Sequence, residues 1–155
     1  MPAIVLPLNL LGLVPLVVFA FGAVGNTPDT AARMLIALID YAALVLAFAG
    51  GVHWGLALVP NTLRATLRLT AGVVPGVVAW VALVVAQLLA PQVALAVLIV
   101  GYLATVMTEH RAGRRTLVPM GYVWVRWGFT LVAVVMMALV LILRALDIPL
   151  YSNIF

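Results

Sequence analysis

His53 stands in "AGGVHWGLAL" (49–58), an ionisable ring among glycine, alanine and leucine. An imidazole in such surroundings can bind a metal or haem, relay a proton, or hydrogen-bond a neighbouring helix. The groups that could work with it are few: His110, Asp29, Asp40, Glu109, Asp147 and eight arginines. Cysteine is absent, which removes thiolate ligands, disulfides and cysteine nucleophiles. A metal would need more ligands than His53 and His110 supply, so none is expected. No cofactor is predicted outright; haem and lipid are the two ligands to weigh at His53. Glu109 and Arg126 bracket the polar stretch "EHRAGRRT" (109–116) and have the types for an ion pair. Arg126, Arg68 and His53 could instead form a pocket for an anionic headgroup or an acidic metabolite. A proton path is not expected. Asp40 lies about 20 Å from His53 along a helix at 1.5 Å per residue, and "AALVLAFAGGV" (42–52) between them offers no relay. Arg33 and Gln87 are the expected neighbours of Asp40. G-x-S-x-G, H-E-x-x-H, Walker and dinucleotide fingerprints are all missing, so an enzyme is the less favoured class.

What must position these residues is a membrane protein. The 155 residues are 67% hydrophobic and 8% charged, and mean hydropathy is +1.31. A soluble domain carries roughly 25% charged residues, so this chain could not cover a water-facing surface. A transmembrane helix needs about 20 apolar residues. Five stretches qualify, at about 3–24, 32–59, 67–89, 93–108 and 122–146, within a single integral-membrane domain. The separators are "GNTPDT" (25–30), "VPNT" (59–62), "AP" (90–91) and the polar 109–116 stretch. Thr27 before Pro28 suits an N-cap, and Asn61 or Thr62 could cap the third helix. The first segment lacks a basic n-region and is too long for a signal-peptide core, so a retained helix is expected. The fold expected is an all-α five-transmembrane-helix bundle.

Orientation follows from the arginines. One side collects Arg64, Arg68, Arg111, Arg114, Arg115 and Arg126, the other only Arg33 and Arg144. The positive-inside rule then puts the N-terminus in the cytoplasm and the C-terminus in the periplasm, or in the intermembrane space of a mitochondrion. The expected location is a bacterial inner membrane, or the mitochondrial inner membrane. The net charge of +4 is thereby a topology signal, and no nucleic-acid partner is expected. Asn9, His53, Arg68, Glu109, Arg126 and Thr130 all fall towards the cytoplasmic leaflet. The outer half holds little besides Asp40, Gln87, Arg33, Asp147 and the terminal "YSNIF".

"DYAALVLAFAGGVHWGLAL" (40–58), "LRLTAGVVPGVVAW" (67–80) and "VPMGYVWVRWGFTLVAV" (118–134) carry a family resemblance. Tyr41 precedes a helix ending Gly50-Gly51-x-x-Trp54-Gly55; Pro75 and Trp80 follow; Pro119, Tyr122, Arg126 and Thr130 form a late pattern. This resembles the domain of unknown function 3429 family, which includes the transmembrane-protein-69-like proteins. Trp127 departs from the aliphatic residue expected after the arginine. The resemblance implies a small multi-pass membrane protein with no established chemistry.

Ala43, Ala47, Gly51 and Gly55 recur every four residues, and Gly72 and Gly76 repeat that spacing. Such strips let helices approach closely, because lipid supplies no hydrophobic drive for association. The strip is expected to pack helix 2 on helix 3, or to receive another chain. His53 lies about 200° around the helix from both Gly51 and Gly55, off the strip. Asn9, Glu109 and Arg126 are its candidate neighbours. Arg126 could also simply snorkel to the headgroups, beside Trp124 and Trp127 in an aromatic belt with Trp54. Three functions remain. The first is a non-catalytic accessory subunit, stabiliser or assembly factor, bound to lipids and to other membrane subunits or its own copies. The second is a lipid-headgroup or haem binder around His53 and Arg126. The third is an oligomeric transporter or channel.

Overall fold

The computed structural model describes residues 4–25, 27–58, 65–115 and 118–146. They form five α-helices: α1 (Val5–Val24), α2 (Pro28–Ala57), α3 (Ala65–Leu88), α4 (Pro91–Arg114) and α5 (Met120–Ala145). Each is long and apolar enough to cross a membrane. Arg64, Asn61, Thr62, Asp147 and "YSNIF" lie outside the described residues.

Consecutive helices pack side by side, α1 returns to α5, and α2 also reaches across to α4. That places α2 at the centre. Its buried positions, among them Leu35, Leu38, Ala42, Leu46, Ala49 and His53, recur at helical spacing. Of these, Leu35, Leu38, Ala42 and Leu46 join Leu16, Leu95, Leu98, Tyr102 and Met137 in one apolar core. Elsewhere large apolar side chains such as Leu11, Leu44, Phe48, Trp80 and Leu131 are exposed. Water would penalise that surface and hydrocarbon does not. Two tyrosines tie the bundle across helices without leaving a buried hydroxyl unpaired. Tyr102 Oη donates to the Ala42 carbonyl at 2.9 Å, and Tyr41 Oη donates to the Gly12 carbonyl at 2.7 Å.

Helix ends differ from the hydropathy reading in one instructive place. The fourth apolar run, about 93–108, is short for a span and so is expected to extend into its flanking turns; the helix runs from Pro91 to Arg114. Glu, Arg and Ala are good helix formers, and Arg111 and Arg114 in the last turn complement the helix dipole. Polarity at 109–114 marks where hydrocarbon ends, not where the helix ends. Pro28 opens α2 at its first position, as its fixed φ favours. Thr27 occupies the N-cap without a side-chain cap; its hydroxyl donates instead to Thr30 Oγ1 at 3.1 Å. At the same end of the bundle Arg144 Nη1 donates to the Ala23 carbonyl at 3.0 Å, satisfying a last-turn acceptor of α1. Arg33 pairs with Asp29, four residues back, at 3.0 Å. Its expected service to exposed Asp40 is therefore corrected: one turn of α2 brings Asp29 beside it.

Gly50 and Gly72 bring the backbones of α2 and α3 close together. A methyl group added to Gly50 would land on the Gly72 carbonyl, and one added to Gly72 would meet the Trp54 ring and the Gly50 carbonyl. The expected strip behaves differently along its length. Ala43 is buried and Ala47 half-buried, whereas Gly51 and Gly55 are exposed with no neighbour within 4 Å of an added Cβ. Gly76 likewise meets nothing within 4 Å. As a packing surface inside this chain, Gly51, Gly55 and Gly76 are thus replaced by Gly50 with Gly72.

Candidate functional site

Glu109 is the hub of the polar residues that the helices gather at the arginine-rich end. Because α4 continues past Thr108, its carboxylate points into the bundle and is fully buried. Arg126 Nε on α5 donates to Glu109 Oε2 at 3.0 Å. Tyr122, one turn earlier on α5, donates its hydroxyl to Oε1 at 3.2 Å. His53 Nε2 on α2 lies 3.9 Å from the same Oε1, beyond hydrogen-bond length but close enough for a charge interaction when the imidazole is protonated. Three helices therefore converge on one carboxylate. Arg126 does not reach for the headgroups: it is buried, and its guanidinium carbon sits 5.9 Å from the centre of the Phe129 ring. A buried pair of this kind owes its tolerance to good geometry, since desolvating both ions is costly.

Gly113 lets α4 and α5 come close enough for that geometry. An added Cβ there would stand 2.7 Å from Val123 Cγ2. Glu109 and Gly113 are one turn apart, so the approach that needs the glycine also places the carboxylate against α5. Gly50 and Tyr122 were visible only as motif residues, without these contacts, and Gly113 was not singled out, although its place one turn after Glu109 could have marked it.

The remaining expected residues sit around this hub in different roles. Thr130, one turn beyond Arg126, is buried and its Oγ1 has no hydrogen-bond partner among the described residues. Asn9 is half-buried on α1 and lines a cavity with Arg126. Arg68 Nη1 donates to the Leu56 carbonyl at 3.3 Å, covering a last-turn acceptor of α2. Trp54 and Trp124 are exposed. Trp127 is half-buried, and its indole N–H donates to His110 Nδ1 at 3.4 Å with the rings edge to face. The two histidines consequently have different partners, His53 on Glu109 and His110 on Trp127. Among the described residues no group of three or more His, Asp or Glu could hold a metal ion.

His53 also lines a groove that runs outwards from the hub. Towards the arginine-rich end, His53, Arg68, Arg111 and Arg115 border a cavity of about 180 Å³ between α2, α3 and α4. An adjoining fissure of about 160 Å³ shares His53, Ala71 and Thr108 and continues between α3 and α4 past Val74, Pro75, Val78 and Gly101. One end of the groove is cationic and the other apolar. Such a site can hold an anionic group at its mouth and a hydrocarbon chain in its fissure.

No curated protein and no solved structure matches the chain. A family model described as "Protein of unknown function (DUF3429)" matches residues 1–142. With five apolar helices built around that matched stretch, this multi-pass chain belongs to that family.

Proposed function

We propose that this chain is a non-catalytic protein of a bacterial or mitochondrial inner membrane that holds an anionic amphiphile in the α2–α3–α4 groove. The observation that carries the reading is the groove's division into an arginine mouth at Arg68, Arg111 and Arg115 and an apolar fissure along α3 and α4. With the N-terminus in the cytoplasm, that mouth faces the leaflet in which anionic lipids concentrate. Basic pockets between helices on this side suit phosphate headgroups, and arginine's planar fork suits phosphate oxygens. The site differs from the one expected in sequence because Arg126 is paired with Glu109 and does not line this groove, whose bordering cations are Arg68, Arg111 and Arg115. Native mass spectra of gently extracted protein should show a retained anionic phospholipid. At about 1 kcal/mol per basic residue near the surface, Arg68→Ala with Arg111→Ala is expected to weaken retention roughly thirtyfold. An unchanged lipid profile in that folded double variant would sink the reading, as would retained haem in place of lipid.

A second reading is supported by the outward-facing glycines. Gly51 and Gly55 lie on an exposed face of α2 with no neighbour of their own chain. Bare backbone on a lipid-facing helix permits close contact by another helix, as an accessory subunit or stabiliser of a larger complex requires. Gly55→Leu should leave the bundle folded and abolish co-purification of a partner subunit or self-association. Wild-type recovery of the complex with Gly55→Leu would argue for the groove alone.

A further inference from the structure

Arg126 lines a second cavity, on the opposite side of the hub from the arginine groove. It measures about 410 Å³ and lies between α1, α2 and α5. That is within the roughly 300–1,000 Å³ typical of small-ligand pockets. Its polar groups are Arg126, Tyr122 and Asn9; its walls include Tyr41, Phe48 and Phe129.

Three observations restrict what it can hold. First, the polar floor is electrically balanced, because the Arg126 charge is met by fully buried Glu109 at 3.0 Å. An anion would add net charge to an apolar site, whereas a neutral acceptor can take N–H groups of a guanidinium that has five. Second, the mouth opens to the bilayer. Leu8 and Phe48, which border it, are 57% and 77% exposed, and Arg126 stands about 9 Å inside the start of α5 at 1.5 Å per residue. The occupant therefore arrives through hydrocarbon. Third, Tyr41 and Phe48 on α2 and Phe129 on α5 put three aromatic rings in the wall, a lining that favours a planar ring over a branched or sugar-like group. We propose that this cavity binds the carbonyl-bearing ring of a neutral isoprenoid lipid, a quinone. The ring carbonyl accepts from the Arg126 end, and the tail leaves past Leu8 and Phe48 into the bilayer. Tyr41, whose hydroxyl donates to Gly12 at 2.7 Å, fixes α1 against α2 and keeps the wall closed. The assignment is independent of the anionic groove, with which this cavity shares no lining residue.

Photolabelling tests it. The whole chain in phosphatidylcholine nanodiscs is irradiated with an azido-decylbenzoquinone, then digested and mapped. Label is expected in α1 near Asn9 and Gly12 and in α2 between Tyr41 and Val52. Excess decylubiquinone should reduce it by about tenfold or more, while dioleoylglycerol, a neutral lipid whose carbonyls are esters without a ring, should not. Gly12→Leu directs side-chain atoms into the cavity. An added Cβ there stands 3.6 Å from Phe129, an ordinary contact, so folding should survive. Labelling should fall at least about tenfold in that variant and also decrease in Asn9→Leu. Label confined to other helices, equal competition by dioleoylglycerol, or full labelling of folded Gly12→Leu and Asn9→Leu would each overturn the assignment.

Discussion

Glu109→Ala is expected to be the most damaging single substitution in the bundle, costing about 3–5 kcal/mol. The loss is not the strength of one hydrogen bond. Removing the carboxylate leaves the Arg126 guanidinium buried without its counter-charge and takes the acceptor from the Tyr122 hydroxyl. An unpaired buried charge costs far more than a surface pair would contribute. Glu109→Gln should fall between alanine and wild type, since an amide oxygen still accepts but carries no charge. Replacing both ions, Glu109→Leu with Arg126→Met, should recover most of the stability, because an apolar pair of similar volume avoids both desolvation costs. Equilibrium unfolding in mixed micelles, followed by far-UV circular dichroism, measures all three. A cost under about 0.5 kcal/mol for Glu109→Ala would mean that Arg126 reaches water or headgroups instead.

The second large effect separates two adjacent glycines. Gly50→Ala should destabilise by about 1–3 kcal/mol or more, because the new methyl meets the Gly72 carbonyl, and backbone cannot step aside as a side chain can. Gly51→Ala, one residue on, meets nothing within 4 Å. There alanine should be neutral or stabilising by about 0.5–1 kcal/mol, the helix-interior advantage over glycine. The same unfolding assay compares the two. Equal effects would show that α2 and α3 do not touch at Gly50.

That contrast also explains what the sequence could and could not disclose. Five helices were legible because apolar runs of about 20 residues have few alternatives in a membrane. The small-residue strip was legible only in part. Four residues advance a helix by about 400°, so each step of the Ala43-Ala47-Gly51-Gly55 series drifts by about 40°. The series starts in the core at Ala43 and has rotated out to the surface by Gly51 and Gly55. His53, off that strip, is buried because it shares a face with Leu35, Ala42, Leu46 and Ala49. Glu109 and Arg126 were recognisable as possible partners from their types and depth. Hydropathy alone could not choose between pairing and snorkelling, since the choice depended on α4 remaining helical through Arg114. The arginine groove needed three helices in register, which no local pattern encodes.

The pairing of Glu109 with Arg126 bears on how the chain enters a bilayer. A charged side chain on an inserting helix costs up to about 2.5–3.5 kcal/mol, the figure for the helix centre, and less towards the ends where Glu109 and Arg126 stand. Glu109 and Arg126 belong to consecutive helices, with bond geometry already set at 3.0 Å. Each is a poor passenger alone, and together they are close to neutral. The pair therefore favours entry of α4 and α5 into lipid as one hairpin, in which the carboxylate made first with α4 gains its counter-charge when α5 follows.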